Sequence, residues 1–338
     1  MGRAGLPFTR LIWTGIALAA LGLLALTLAV TWQSGERITE SARATTRNIA
    51  QILDQHAVRT VGSVDTVLRL AANRAAAHRE SGSQAWTASL LTDVLSDMPF
   101  IRNVQVFEAA TGELVFQSSG LPTSFRAATA EVIRRHQAEP GAALRIDRPI
   151  WDSAHRVWTA ILSRRLSGPD APQRFVALAQ VSLDFFQDFF AGIDVGPNGS
   201  VALYRSDGIL LARHPRQGVD VGQDLSESAL FRQHLKSAPT GTYEGVRQGD
   251  GLERIASYRQ LAGLPLVIIA TTAKKDLLAD WYSDTQRDIG IALLSILIVL
   301  ILGALAAREV RRRDQAEADL RKQSALVQAT LENMDQGL

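Results

Sequence analysis

A group of basic side chains in the middle of the chain carries the clearest chemical signal in the sequence. Four arginines occur in one short stretch together with a tryptophan and a serine. The set is Arg145, Arg148, Trp158, Ser163, Arg164 and Arg165. A guanidinium group can bind a carboxylate through two parallel hydrogen bonds, and an indole ring supplies an apolar wall beside it. The pattern therefore predicts a pocket for a small anion, such as an organic acid or an amino acid.

The alternation of side chains along a strand divides this set in two. If residues 156–166 form a strand, Trp158 and Arg164 lie on one face, and Ser163 and Arg165 lie on the other. Only one of the two pairs can then line a pocket. Arginines on strands are also common as solvated edge residues, and Trp158 also fits a core position, so these interpretations stay open.

Other kinds of site leave no pattern in the sequence. The chain has six histidines and no cysteine. The histidines do not have the spacing of a zinc site, and neither a nucleophile elbow nor a phosphate-binding loop occurs. Residues 196–199 have the composition of a turn rather than of a nucleotide-binding loop. We therefore expect no catalytic residue, no metal and no cofactor in this chain.

Two uncharged apolar stretches set the class of the protein. Residues 11–32 and residues 289–307 contain no charged side chain. A helix needs about 20 residues to cross the hydrocarbon core of a membrane, so each stretch is long enough to span it. The first stretch could instead be a signal peptide. It exceeds the roughly 7–15 apolar residues of such a peptide, which favours an uncleaved anchor.

Positive charges flank both stretches on the side of the chain termini. Arg3 and Arg10 precede the first stretch, and residues 308–313 supply further arginines after the second. Because such residues concentrate on the cytoplasmic side, we expect both termini in the cytoplasm and residues 33–288 outside it. The segment between the two stretches carries 28 basic and 28 acidic side chains, so we expect no nucleic acid as a partner. The two apolar stretches themselves imply a membrane.

The elements between the two stretches must position the basic group. From residue 33 to about residue 79, apolar residues recur at every third or fourth position without a proline, which predicts one long helix. Two copies of one pattern follow, each a hairpin, a helix, three strands and an exit helix. The first copy includes a strand over residues 143–150. The second includes a hairpin turn at Asp207-Gly208 and a helix over residues 226–237 with Ser226 as its N-cap. We predict an α+β membrane protein with a long N-terminal helix and two antiparallel-sheet modules between two transmembrane helices.

The predicted boundaries divide the chain into consecutive segments. They are a cytoplasmic N-terminus (1–10), a first transmembrane helix (11–32), a long helical segment (33–98), a membrane-distal module (99–196), a membrane-proximal module (197–284), a second transmembrane helix (285–307), a linker (308–323) and a C-terminal segment (324–338). Leu320, Val327 and Met334 are spaced as in a coiled coil, which predicts a parallel homodimer. A lone amphipathic helix is the alternative.

Four stretches of the sequence resemble known sensor proteins. Residues 157–166, 189–196 and 207–215 are similar to parts of the double Cache, or tandem PAS-like, sensor domain of bacterial transmembrane receptors. The resemblance covers residues 33–288 and is strongest to the subgroup on histidine kinases and diguanylate cyclases. Residues 330–338 resemble the start of a cytoplasmic PAS domain.

The resemblance implies a function. A two-pass protein of the bacterial inner membrane would bind a small periplasmic ligand in its distal module. It would relay binding through the second transmembrane helix to a PAS domain and an output domain, either a histidine kinase of a two-component system or a diguanylate cyclase. A chemoreceptor-type sensor and a structural tether without a ligand are the alternatives.

Asp184 completes the set of candidate ligand-binding residues. In relatives that bind amino acids, an aspartate near this position holds the ammonium group of the ligand. The rest of their motif, a tyrosine and an Arg-x-Trp, does not occur here, where the corresponding segment begins at Phe125. Asp184 also fits the N-cap of the helix that it opens, and both roles stay open.

Overall fold

The computed structural model describes residues 5–81, 93–118, 123–139, 141, 143–166, 174–216, 220–246 and 251–335. The chain divides into two compact units. One comprises Met1–Ile38 and Leu278–Leu338, and the other comprises Thr39–Leu277. The second unit contains all of the sheet structure.

Helix α1 (Gly5–Ser81) contains the long helix predicted from residue 33 onward and confirms it. Within the second unit its buried side chains follow the predicted spacing of three and four. They include Ala50, Leu53, Ala57, Val61, Val64 and Leu68. The helix therefore supplies a continuous apolar face to the sheets that follow.

The first sheet is antiparallel and corresponds to the predicted distal module. Its strands are β1 (Ile101–Glu108), β2 (Leu114–Gln117), β3 (Arg145–Ile146), β4 (Ile150–Asp152), β5 (Val157–Leu166) and β6 (Phe175–Ser182). The order is β2-β1-β6-β5-β3, and β4 also pairs with β5. Helix α2 (Thr123–Ala138) separates β2 from β3 along the chain.

The sequence predicted a single strand over residues 143–150, and this prediction was wrong. The chain forms two short strands instead, with Arg148 and Pro149 between them. Proline has no N–H group to donate to a ladder, and it restricts the residue before it, so the pairing with β5 is interrupted there. Arg148 consequently lies in a connection rather than on a strand.

The two faces of the first sheet pack against different helices. Alternate residues such as Val104, Ala160 and Ala177 join the main core, which also contains the buried face of α1. The other alternate residues, including Phe107, Ile161 and Leu178, form a second core. This second core also includes apolar residues of α2, namely Phe125, Val132 and Ile133. The sheet is thus covered by α1 on one side and by α2 on the other.

Helix α3 (Asp184–Ala191) follows the first sheet and leads to the second. The second sheet contains β7 (Ser200–Arg205), β8 (Leu210–His214), β9 (Thr240–Val246), β10 (Glu253–Gln260) and β11 (Leu266–Ala273). Its order is β8-β7-β11-β10-β9, all antiparallel. The β7–β8 turn contains Gly208 at a φ of +95°, as its Asp-Gly signal predicted.

The helix predicted over residues 226–237 begins later than expected. A π-helix covers Leu230–His234, and α4 (Leu235–Ser237) continues it. The Ser226 N–H donates to the side chain of Asp224 at 3.0 Å. Ser226 therefore belongs to a turn that precedes the helix and is not its N-cap.

Helix α5 (Lys274–Asp335) follows β11 directly. The most apolar windows of α1 and α5 reach mean hydropathies of 2.1 and 3.0, so both helices have the length and composition to cross a membrane. Within the first unit, Trp281 Nε1–H donates to Ser34 Oγ at 2.8 Å. The chain is helical as far as Asp335, whereas the predicted heptad side chains from residue 325 onward lie outside the described side chains.

Candidate functional site

The structure separates the predicted pair Trp158 and Arg164 from the pair Ser163 and Arg165. Trp158 packs against the main core on the α1 face of β5, in edge contact with Trp151. On the same face, Arg164 Nε lies 2.8 Å from Asp65 Oδ1 of α1, and both side chains are mostly buried. This face is therefore occupied by an apolar core and an ion pair.

Ser163 and Arg165 lie on the other face of β5, towards the last turn of α2. Ser163 Oγ lies 3.0 Å from His136 Nε2, and both residues are fully buried. Arg165 Nη1 donates to the His136 carbonyl at 2.8 Å. Arg145, which is opposite Ser163 on β3, donates to the Glu139 carbonyl at 2.8 Å. Three of the predicted residues thus meet at the C-terminal end of α2.

Arg148 and Asp184 lie apart from this group. Arg148 is exposed and is 3.7 Å from Asp224 Oδ2. Asp184 accepts a hydrogen bond from Arg216 Nη2 at 2.9 Å. The N-cap of α3 is Leu183 and it has no side-chain capping bond, so the interpretation of Asp184 as a cap was wrong. The ion pair with Arg216 instead fixes the start of α3 against the segment after β8.

Between the first sheet and α2 lies a set of buried polar side chains that we call the polar layer. Its members are Asn103, Gln105, Thr129, His136, Thr159 and Gln180, each at most 4% exposed. Asn103 on β1 is directly opposite Gln180 on β6, and Gln180 is opposite Ile161 on β5. Facing and diagonal neighbours on one sheet face lie within about 8 Å of each other, so the strand members form one patch.

Every member of the polar layer has a buried atom without a hydrogen-bond partner among the described residues. These atoms are Asn103 Nδ2, Gln105 Oε1, Thr129 Oγ1, His136 Nδ1, Thr159 Oγ1 and Gln180 Nε2. An unsatisfied buried polar atom costs about 1–3 kcal/mol, and native proteins contain few of them. The layer therefore holds six buried hydrogen-bonding groups that the described residues leave unsatisfied.

Hydrogen bonds to β2 and to the residue after it fix the orientation of two amides in the layer. Gln105 Nε2 donates to Gln117 Oε1 at 3.0 Å, which leaves Gln105 Oε1 as an acceptor. Asn103 Oδ1 accepts from Ser118 Oγ at 3.1 Å, which leaves Asn103 Nδ2 as a donor. The layer therefore presents both donors and acceptors in a fixed arrangement.

The electrostatics of the site keep it close to neutral. Burial, as the largest cause, and the nearby charges of Arg145, Arg165 and Arg135 together lower the pKa of His136 to about 4. The imidazole is therefore uncharged at neutral pH. Arg135 Nη1 pairs with Asp147 Oδ1 at 2.6 Å, although burial raises the pKa of that carboxyl group. The charged groups beside the layer are thus compensated within the protein.

Sequence reasoning missed the polar layer, although it leaves a signal. Asn103 and Gln105 alternate with apolar residues in β1, as Gln180 and Ser182 do in β6. Both strands are buried on both faces, so a polar stripe on one face breaks the expected apolar run. Comparing the strands would have predicted the stripe, whereas its orientation towards α2 required the fold.

A second feature joins the connection between the sheets to the start of α5. Asp276, in the first turn of α5, accepts hydrogen bonds from the Asn198 backbone N–H at 2.8 Å and from Asn198 Nδ2 at 2.7 Å. Arg254 Nη2 donates to the Asn198 carbonyl at 3.0 Å. One residue of the connection is therefore held through its backbone and its side chain together.

Comparison with known proteins shows which domains this fold is similar to. Residues 183–271 match a family described as a dCache_1-like histidine kinase sensor domain. The structure is similar to the extracellular domain of rpHK1S-Z16, assigned as a histidine kinase, with 27% identity, a TM-score of 0.59, and coverage of 72% of this chain and 99% of that one. No curated protein matches the chain significantly.

Two chemoreceptor domains share the fold at lower identity. The periplasmic sensory domain of Campylobacter jejuni Tlp1 is 10% identical, with a TM-score of 0.56 and coverage of 71% of this chain and 98% of that one. The ligand-binding domain of Pseudomonas fluorescens CtaA, solved with L-isoleucine, is 16% identical, with a TM-score of 0.52 and coverage of 72% and 97%. Residues 183–271 are thus dCache_1-like, and the α+β fold is shared with extracellular domains of histidine kinases and chemoreceptors.

Proposed function

We propose that this protein is a two-pass sensor of the bacterial inner membrane, with a periplasmic double Cache domain that binds a small ligand in the polar layer. The observation that carries the proposal is the set of six buried polar atoms between α2 and the first sheet that have no hydrogen-bond partner among the described residues. Ser163 and Arg165, at the His136 end of the layer, are the sequence-predicted residues best placed to border the ligand.

The proposed topology has support from both apolar helices. Each has the length and composition to cross a membrane, and arginines flank both on the side of the chain termini. The similarity to an extracellular domain of rpHK1S-Z16 agrees with a periplasmic sensor domain. A homodimer is part of the proposal because Leu320, Val327 and Met334 are spaced as in a coiled coil.

The proposed relay uses the contact between Asn198 and Asp276. Ligand that completes the polar layer favours a state in which α2 and the first sheet are held together, and α3 follows that sheet directly. The connection after α3 contains Asn198, which is bonded to Asp276 at the start of α5. A shift of the connection would reach α5, and through it a cytoplasmic PAS domain and an output domain.

The proposal includes alternatives for the output domain and for the type of receptor. A histidine kinase output agrees with the family match over residues 183–271, and a diguanylate cyclase output rests on the sequence resemblance alone. A chemoreceptor-type sensor is the second candidate, because the Tlp1 and CtaA domains have the same fold. In the tether alternative the polar layer would have no ligand, which leaves its six partnerless atoms unexplained.

A ligand screen on the full chain in lipid nanodiscs tests the proposal. The midpoint of thermal unfolding, Tm, is measured with separate sets of amino acids, organic acids and amides. We expect one set to raise Tm, and we expect Gln180→Leu to abolish that increase because it removes a donor from the layer. Arg148→Ala, in an exposed connection, is the matched control. Ligand stabilisation that survives Gln180→Leu would contradict the site.

A pair of reporter fusions tests the topology separately. Alkaline phosphatase is active only in the periplasm, and green fluorescent protein exported through the general secretion pathway does not fluoresce there. We expect phosphatase activity from a fusion within residues 217–219 and fluorescence from a fusion at Leu338. The same compartment for both positions would contradict a two-pass sensor.

A further inference from the structure

The hydrogen-bonding groups of the polar layer are all uncharged, and this bears on the class of ligand. Asn103 Nδ2 and Gln180 Nε2 are donors, Gln105 Oε1 is an acceptor, and the hydroxyl groups of Thr129 and Thr159 can act as either. His136 Nδ1 adds a donor or an acceptor according to its tautomer. A molecule that satisfies this set needs carbonyl-type acceptors and N–H or O–H donors together.

The arginines that suggested an anion are directed at protein partners. Arg164 pairs with Asp65 on the opposite face of the sheet. Arg145 donates to the Glu139 carbonyl and lies 3.4 Å from its carboxylate, and Arg165 donates to the His136 carbonyl. A carboxylate in the layer would therefore have to compete for a cation that is already bonded, at the full cost of its own desolvation.

The carboxylates near the layer are bonded in the same way. Asp147 pairs with Arg135. Asp152 accepts from the Ala154 N–H at 3.0 Å and lies 2.7 Å from His155 Nδ1. Among the described residues, the ammonium group of an amino acid consequently meets no carboxylate without a partner. Both charged ends of a zwitterion lack the counter-charge that burial requires.

We propose that the polar layer recognises an uncharged ligand that carries a carboxamide or a urea group. Such a group offers a carbonyl acceptor and N–H donors on one small frame, which matches the amides of Asn103, Gln105 and Gln180. The inference rests on the proposed function and specifies its ligand. The sequence-based expectation of an anion is one of the outcomes that the following experiment separates.

The test uses matched pairs of compounds that differ only in charge. The full chain in nanodiscs is titrated at pH 7 with propionamide against propionate and with benzamide against benzoate. We expect an amide to raise Tm by about 3 °C at roughly ten times its Kd, and the matching acid to leave Tm unchanged. The inference is overturned if no amide raises Tm, or if the acids raise it more.

Isosteric variants provide a second readout, the Tm of the free protein, which does not depend on the choice of probe. Thr159→Val and Thr129→Val remove hydroxyl groups without partners and keep the shape, so we expect each to raise the Tm of the free protein and to abolish the effect of the amide. Thr46→Val is the matched control. Its buried hydroxyl is bonded to the Ala42 carbonyl and to Ser257 Oγ, so this variant should lower Tm and keep the amide response.

The outcomes separate the ligand class from the sensor function. Acids that raise Tm, with a loss of that effect in Thr159→Val, would overturn the uncharged ligand and leave the site intact. A lower Tm in Thr159→Val, with no response to any compound, would mean that the layer is an internal polar network. That result would overturn both the ligand class and the proposed site.

Discussion

His136 Nε2 lies 3.0 Å from Ser163 Oγ, and this contact leaves Nδ1 of the same ring buried without a partner among the described residues. The pair joins the last turn of α2 to β5, and Arg165 reinforces the junction by donating to the His136 carbonyl. The end of α2 is thus attached to the sheet by polar contacts, whereas its middle is attached by Phe125, Val132 and Ile133.

The buried imidazole makes stability depend on pH. The pKa of His136 is lowered to about 4 in the folded state, from an unfolded value of 6.5. The contribution of His136 to the free energy of unfolding is fully present above pH 6.5. It falls as the pH drops towards 4, because only the unfolded chain takes up the proton over that range. The loss is at most about 3 kcal/mol. His136→Gln should flatten this slope in urea unfolding at pH 7 and pH 4.5.

The slope has a second contributor and a control. The pKa of His56 is also lowered, chiefly by burial, so part of the pH dependence should remain in His136→Gln. Thr46→Val, which removes no titratable group, should retain the slope of the natural chain. A slope that is the same in His136→Gln and in the natural chain would contradict the assignment.

The ion pair between Arg164 and Asp65 should contribute to stability and not to ligand binding. Both side chains are about four-fifths buried, so Asp65→Asn leaves a guanidinium without its counter-charge and should cost about 1–3 kcal/mol in urea unfolding. Arg69→Ala removes the exposed partner of the same carboxylate and should cost less than about 1 kcal/mol. An altered ligand-induced Tm shift in Asp65→Asn would contradict its place outside the site.

The contact between Asp276 and Asn198 should appear as an energetic coupling. A double-mutant cycle with Asp276→Ala and Asn198→Ala measures the hydrogen bond from Asn198 Nδ2 to Asp276 Oδ1, because the backbone N–H of residue 198 is present in every variant. We expect about 1–2 kcal/mol because the acceptor is a carboxylate. Lys275→Ala, on an exposed neighbour, should show no coupling to Asn198→Ala. Additive effects of the first pair would argue against this contact as the relay to α5.

Glu244 should make a smaller, acid-sensitive contribution. A hydrogen bond from Lys274 and a second from Arg43 lower the pKa of its carboxyl group. A lowered carboxyl pKa gives stability that is present above the unfolded value near 4.5 and is lost as the pH falls through the folded value. Glu244→Gln should therefore lower Tm at pH 7 and have little effect at pH 3. An equal loss at both values would indicate a packing role.

The sequence predicted the elements more completely than it predicted the site. The periodicity of α1 and the Asp-Gly turn at Gly208 are local signals, and both hold in the structure. The division into β3 and β4 follows from Pro149, whose effect depends on which strand lies beside it. The face of β5 that is available to a ligand depends on the positions of α1 and α2, which no local pattern specifies.

The arginines illustrate the limit in physical terms. Arg164 and Arg165 are adjacent and identical in type, yet one meets a carboxylate on α1 and the other a carbonyl on α2. Their partners come from distant parts of the chain. The amides of Asn103 and Gln180 carried no charge and formed no motif, so they became significant only once the strands were paired.

The burial of the polar layer has a consequence for the speed of the response. Since each of its residues is at most 4% exposed, a molecule can reach Gln180 or Thr159 only after the residues that cover them move. Association that waits for such an opening has a rate constant below the usual range of roughly 10⁵–10⁷ M⁻¹s⁻¹. The same barrier also slows release of the ligand. The protein would then average over brief fluctuations in its surroundings and answer only to signals that persist.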